Sequence, residues 1–191
     1  MTDRLSAMLA AIDAANALDP TLERDGAAEQ PAALLYGQRM SAELDRLAPN
    51  APELLRIAAR GQHIERWKMP RTAYPEGRAG YLDWRRAQAV FHGERVGGLM
   101  AEAGYAPEDG ARVGAMLRKE GIKRDPEVQL LEDVICFVFV RWYLGAFAAK
   151  HAEEDVVRIV GKTARKMSGE ARRRMLAEFD LAPVMAAAIR P

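Results

Sequence analysis

Apolar residues recur at helical spacing along almost the whole chain, beginning with Leu5, Met8, Leu9 and Ile12, which predict a helix from about Thr2 to Asn16. The segment 19–31, DPTLERDGAAEQP, sets two prolines and a glycine among charges and reads as a surface loop. Leu35, Met40, Leu44 and Leu47, with Tyr36 close by, predict a second helix over 32–47. Asn50-Ala-Pro-Glu53 has the form of a helix start, with a capping residue, a proline in the first turn and a glutamate three positions on. A third helix is expected through LLRIAARGQHIERW, ended before Pro70, with irregular chain to about Ala79. A long helix then runs to Ala103, capped by Gly104, with Leu82, Val90, Val96 and Met100 on its apolar side. A short helix lies between Pro107 and Gly121.

Asp125-Pro126 caps a helix expected over 127–150, and every residue from Val134 to Val140 is apolar, so this is the predicted central helix. Two or three helices finish the chain, with Ser168 as a cap and Pro183 isolating the last piece. No alternating strand pattern and no repeat is found. The expectation is an all-α, single-domain helical bundle: an N-terminal helix over 1–18, a loop over 19–31, a core over 32–150 and basic C-terminal helices over 151–191.

At 191 residues the chain can bury roughly 70% of its unfolded surface without staples. Its single cysteine, Cys136, sits in the apolar run VICFVFV and reads as a small hydrophobe in a reducing cytoplasm. The longest apolar run ends at Arg141, too short for a membrane span, and the N-terminus reads as an amphipathic helix rather than a signal peptide.

Charge sharpens the picture. The net charge is +1, yet residues 1–59 hold nine acids against five bases, and 162–174 hold six bases against one acid. Residues 60–92 carry seven basic side chains against three acidic ones, together with two of the three histidines, two of the three tryptophans, Tyr74 and Tyr81. A solvated linker does not concentrate aromatics in this way, so the stretch reads as the wall of a binding site. Arginine suits a bidentate grip on phosphate or carboxylate, which makes Arg60, Arg66, Arg71 and Arg85 the candidate anion ligands, with Gln62, Trp67, Tyr81 and Lys119 around them. The competing reading pairs the arginines with Glu65, Glu76, Asp83 and Glu132 as structural bridges. Asp133, just before the most apolar turn, needs a partner: a cation, a metal or a protonated histidine.

Two resemblances extend this reading. The order of Leu35-Tyr-Gly-Gln-Arg-Met40, Ala58-Ala-Arg-Gly-Gln-His63, Phe91-His92 and Leu131-Glu-Asp133 resembles the HD superfamily of helical metal-dependent phosphohydrolases. That resemblance implies His63, His92 and Asp133 as catalytic groups and as ligands of Fe, Mn or Zn. Tyr36 stands in place of that superfamily's first histidine, Ile64 in place of the aspartate after His63, and Lys119 where a further histidine often falls. A longer resemblance runs through RGQHIERWKMPRTAYPEGRAGYLDWR, the FH pair, DPEVQLLEDVICFVF and KTARKMS, which is similar to the family known as domain of unknown function 4202. Members are sometimes labelled glutamyl-tRNA synthetase, and His63-Ile64 and Lys166-Met-Ser168 faintly echo class I synthetase motifs. Without a parallel nucleotide-binding sheet that activity is excluded.

The functional expectation is a divergent HD-like protein binding a small phosphorylated or nucleotide-like anion, with phosphohydrolysis open to it. The alternatives are a non-catalytic anion-sensing or interaction module and, third, RNA binding through the site rim and the basic C-terminal helices.

Overall fold

The computed structural model describes residues 3–190 and is helical, as the periodicity predicts, with one small departure. The chain divides into two compact units, Met1–Glu120 and Gly121–Pro191. Among the described residues no helix is long and apolar enough to cross a membrane.

In the first unit α1 (Arg4–Asn16) is capped by Asp3, whose carboxylate accepts from the Ser6 amide at 2.9 Å. The expected loop is instead partly a hairpin, β1 (Leu22–Asp25) paired antiparallel with β2 (Ala28–Pro31). Its two-residue loop begins with Gly26 at φ 62°, where such turns favour glycine. These strands are polar and mostly exposed, so no alternation betrays them in the sequence. An isolated hairpin is marginal at best. This one is held from the next helix by buried Arg39, which pairs with Glu23 and, at 3.3 Å, with Asp25.

That helix is α2 (Ala32–Leu47), preceded by Pro31, which has no capping side chain. The missing cap comes from fourteen residues upstream, where Asp19 accepts from the Ala33 amide at 2.9 Å. The predicted capping box at Asn50 does not form. Helix α3 (Glu53–Arg60) starts after an extended Pro52, which leaves Asn50 outside the helix, and the Glu53 carboxylate accepts from Tyr105 and Arg4. α3 also ends earlier than expected, at Arg60, and the chain continues through turns to a 3-10 turn at Arg66–Lys68 and another at Arg71–Ala73. Helices α4 (Gly77–Glu102) and α5 (Pro107–Leu117) complete the unit, and Gly104 at φ 78° supplies the left-handed residue after α4. Its core is Met8, Ile12, Met40, Leu44, Leu55, Ile57, Ile64, Val96, Met100, Val113 and Met116, all fully or almost fully buried.

In the second unit α6 (Pro126–Val138) is capped by Asp125, which accepts from the Glu127 and Val128 amides at 3.0 and 3.3 Å. The helix expected to reach residue 150 is interrupted by a π turn at Phe139–Tyr143 before the short α7 (Leu144–Ala148). A π turn changes which side chains face inward. Val140 and Leu144 are buried here, while Arg141 lies over Phe179 at 4.7 Å. Helices α8 (Glu153–Ala164), α9 (Gly169–Glu178, capped by Ser168) and α10 (Pro183–Ile189) come after it. Leu131, Val134, Phe137, Val138, Val160 and Met175 form this core.

Gly80 marks a close approach of two backbones in the first unit. A Cβ on this residue would lie 2.0 Å from the Pro75 carbonyl oxygen, so the loop before α4 is pressed against that helix's backbone. Gly97, in the same helix, has nothing within 4 Å of the corresponding position. Gly80→Ala should therefore destabilise by about 1–3 kcal/mol through overpacking, roughly 2–12 °C in melting temperature. Gly97→Ala should raise stability by about 0.5–1 kcal/mol, because alanine loses less backbone freedom in a helix. Thermal melts of the two variants check this, and equal effects would contradict the close approach at Gly80.

Candidate functional site

The site is built where α3 gives way to irregular chain. Residues 61–76 make turn bonds of their own, such as the Arg66 amide to the His63 carbonyl at 3.2 Å and the Lys68 amide to the Glu65 carbonyl at 3.0 Å, and side chains from neighbouring helices add to them. Asn16, at the end of α1, accepts from the Glu65 amide at 2.9 Å. From α4, the Gln88 side-chain amide donates to the carbonyls of Arg66 (3.0 Å) and Met69 (2.8 Å), and the Trp84 indole donates to Met69 at 2.9 Å. Trp84, Gln88 and His92 are spaced four apart and are all buried, which makes them one face of α4 turned onto this loop.

Held in this way, Glu65 sits in the left-handed region at φ 48°, ψ 32°, uncommon for a residue with a side chain. Its carboxylate, 3% exposed with the residue as a whole, is bonded by Arg95 at 3.0 Å and Lys68 at 2.8 Å. Those two cations outweigh the burial that acts against its charge and hold Glu65 below the usual carboxylate range. The nearest carboxylate in sequence is thereby engaged by cations other than the site's own.

At the centre the ring of His63 stacks on Tyr36, with centroids 3.9 Å apart and planes 18° from parallel, and lies 5.9 Å from the ring of His92. Burial first, then the charge of Arg66, then that of His92, Arg85 and Lys119 push the His63 pKa well below its ordinary value. His92 is held down to about 3 by burial, Arg66 and Arg85. Both rings are therefore neutral at physiological pH. The Arg66 guanidinium lies over Trp84 at 4.6 Å. Its own pKa is lowered by burial and by Arg85, with the Tyr36 and Tyr81 hydroxyls acting the other way. Exposed Arg85 donates to the Tyr81 hydroxyl at 3.2 Å. Among the described residues neither Arg66 nor Arg85 has a carboxylate within ion-pair distance.

The remaining candidates divide differently from the expectation drawn from sequence. Arg60 makes two 2.6 Å bonds to Asp13 and ties α3 to α1, so its fork is already filled. Arg71 donates to the carbonyls of Tyr74 (2.9 Å), Pro75 (2.8 Å) and Gly77 (3.4 Å), pinning the loop that Gly80 accommodates. Both are structural here, for their guanidiniums are used by the chain itself. Gln62 is buried with its Oε1 unpartnered, Trp67 is half-buried, and Lys119 adopts φ 61° at the end of α5 while its charge bears on His63.

Asp133 lies in the other unit, where its hydrogen-bond partners are neutral donors and the charge of Lys123 also acts on it. Its Oδ1 accepts from the Ser168 amide at 2.8 Å and from Gln129 at 3.0 Å. Burial raises its pKa and these bonds oppose the rise. The Lys166-Met-Ser168 segment is thus fastened to α6, helped by Lys123 donating to the Met167 carbonyl at 2.8 Å. Among the described residues no group of three or more His, Cys, Asp or Glu side chains could hold a metal ion. The surroundings of His63 and His92 also carry the wrong sign for one, since the charges acting on them belong to Arg66, Arg85 and Lys119. The residues present do not fit Fe, Mn or Zn.

Gln88, Trp84, Asn16 and Tyr36 were not among the sequence candidates. The four-residue spacing of Trp84, Gln88 and His92 is a signal that would have found two of them. One family model, described as Domain of unknown function (DUF4202), matches residues 6–189. No curated protein and no solved structure matches the chain.

The neutral histidines make a pH prediction with a definite sign. In the unfolded chain a histidine titrates near 6.5 and in the native state His92 titrates at about 3, so between those values the unfolded chain binds more protons. Stability should fall as pH drops from about 6.5 toward 3, by up to about 1.4 kcal/mol per unit from His92, with His63 adding in the same direction. Denaturant midpoints measured between about pH 4 and 7 should decline less steeply for His92→Phe than for the wild type, and parallel curves would count against buried neutral His92.

Proposed function

The chain belongs to the DUF4202 family, a membership that establishes kinship and leaves the chemistry to its own side chains, and we propose that these bind a small phosphorylated or nucleotide-like anion. The observation that carries this reading is the pair Arg66 and Arg85, one set over Trp84 and the other bonded to Tyr81, whose rings lie 5.9 Å apart, with no carboxylate within ion-pair distance of either among the described residues. Like charges held together in a partly buried place are costly, and an anion received between them relieves the cost. Arginine forks match phosphate oxygens in pairs, and the neutral rings beside them add no competing negative charge.

Binding is better supported than hydrolysis. A general base works best with a pKa near the working pH, whereas His92 at about 3 is a weak base and cannot serve as an acid at neutral pH. An HD-like phosphohydrolase also relies on a metal that these residues do not fit. The sensing or interaction module is therefore the preferred form of the reading. RNA binding through the C-terminal helices is weaker because much of their positive charge is met internally: Arg173 by Glu170, Arg174 by Glu178, Arg158 by Asp155 and Lys166 by Glu132.

The test is thermal stabilisation by a panel of phosphates and nucleotides. A ligand at a hundred times its dissociation constant stabilises the native state by about 2.7 kcal/mol, which for a chain of this length is roughly 5–11 °C. Arg85→Ala should abolish the shift while leaving the ligand-free melting point almost unchanged, since Arg85 is exposed and gives up a hydrogen bond to the Tyr81 hydroxyl alone among the described residues. Arg71→Ala should behave in the opposite way, melting lower without ligand by about 1–3 kcal/mol through three lost carbonyl bonds, and still responding to ligand. Were no phosphate or nucleotide to shift the wild type, the anion reading would fail.

A further inference from the structure

Two side chains on the buried face of α4 each have a buried polar atom with no hydrogen-bond partner: Oε1 of Gln88 and Nε2 of His92. The two residues are 2% and 3% exposed. Buried polar atoms are nearly always paired, so two such atoms one turn apart call for something that completes them. The amide of Gln88 is oriented without ambiguity, because its nitrogen meets two carbonyl oxygens and an oxygen placed there would have nothing to accept. Its Oε1 is therefore an acceptor only. Gln88 and His92 stand one turn apart on the same buried face of α4, in line with Trp84, over which Arg66 lies. Neutral His92 provides one accepting nitrogen.

Cations without counter-ions thus adjoin buried polar atoms without partners. Bare phosphate answers the first and not the second. Resting on the anion reading of Arg66 and Arg85, we infer that the ligand is a phosphate monoester whose carbon portion carries hydroxyl groups, as in a sugar phosphate or the ribose end of a nucleotide. Its phosphate meets Arg66 and Arg85, and its hydroxyls, each able to donate and to accept, pair with Gln88 Oε1 and with His92 Nε2. A site whose polar groups are left unpaired by an analogue lacking the hydroxyl discriminates strongly against that analogue.

The experiment is calorimetric titration of the full chain with inorganic phosphate, ethyl phosphate and ribose 5-phosphate. All three should bind, and ribose 5-phosphate should bind about tenfold or more tightly than ethyl phosphate, the gain expected of two satisfied hydrogen bonds. His92→Phe should bring ribose 5-phosphate down toward ethyl phosphate. His92→Gln, which retains an acceptor oxygen and keeps the test valid if the phenylalanine variant folds poorly, should preserve part of the preference. Equal affinity of the wild type for the two esters would overturn the hydroxyl assignment and leave the anion reading standing. So would a loss of inorganic phosphate binding in His92→Phe as large as the loss for ribose 5-phosphate, because His92 would then be serving the phosphate. Failure of all three ligands to bind would remove the anion reading, and this inference with it.

Discussion

The side-chain amide of Gln88, donating to two carbonyls of a loop built from successive turns, is the contact on which the site depends. Residues 61–76 run past a buried helix face, where an unmet carbonyl costs as much as a lost hydrogen bond. Gln88 and Trp84 meet these carbonyls from one side, Asn16 fixes the Glu65 amide from another, and Arg71 gathers the carbonyls at the loop's end. The loop is held by its own turn bonds together with those that other elements supply. That ordering sets Arg66 over Trp84 and His63 against Tyr36.

The electrostatics result from this placement. Glu65, the acid that might have neutralised the centre, is turned by its left-handed backbone toward Arg95 and Lys68. Arg66 and Arg85 keep their charge beside two rings that burial has made neutral. Arg60 and Arg71, equally basic in the sequence, are consumed by Asp13 and by backbone carbonyls. Local charge thus says little about ligand binding until the partner of each arginine is known.

Much of the helical layout was legible because burial writes a 3.6-residue period into Leu5, Met8 and Ile12, and because Asp125 and Ser168 have the right chemistry at the right offset for caps. The hairpin at 22–31 was not legible, since its stability comes from Arg39 on another element and its strands bury little. The π turn at 139–143 was hidden by an apolar run that looks the same from every side. At the site the sequence identified a concentration of arginine, histidine and aromatic residues in 60–92. It could not sort functional cations from structural ones, because Asp13 is 47 residues from Arg60 and no local pattern links them. For Asp133 it offered a cation, a metal or a protonated histidine, and the structure supplies a backbone amide 35 residues away with the charge of Lys123 acting beside it.

The neutrality of both histidines has a consequence for what the site can sense. At neutral pH both rings are uncharged, so on the anion reading the protein side of the encounter would not titrate there. A phosphate monoester does, gaining its second negative charge near pH 6. Were such a monoester the ligand, acidity near pH 6 would change the charge of the guest and not that of the host, and a phosphodiester, which has no second ionisation, would be received alike on either side of it.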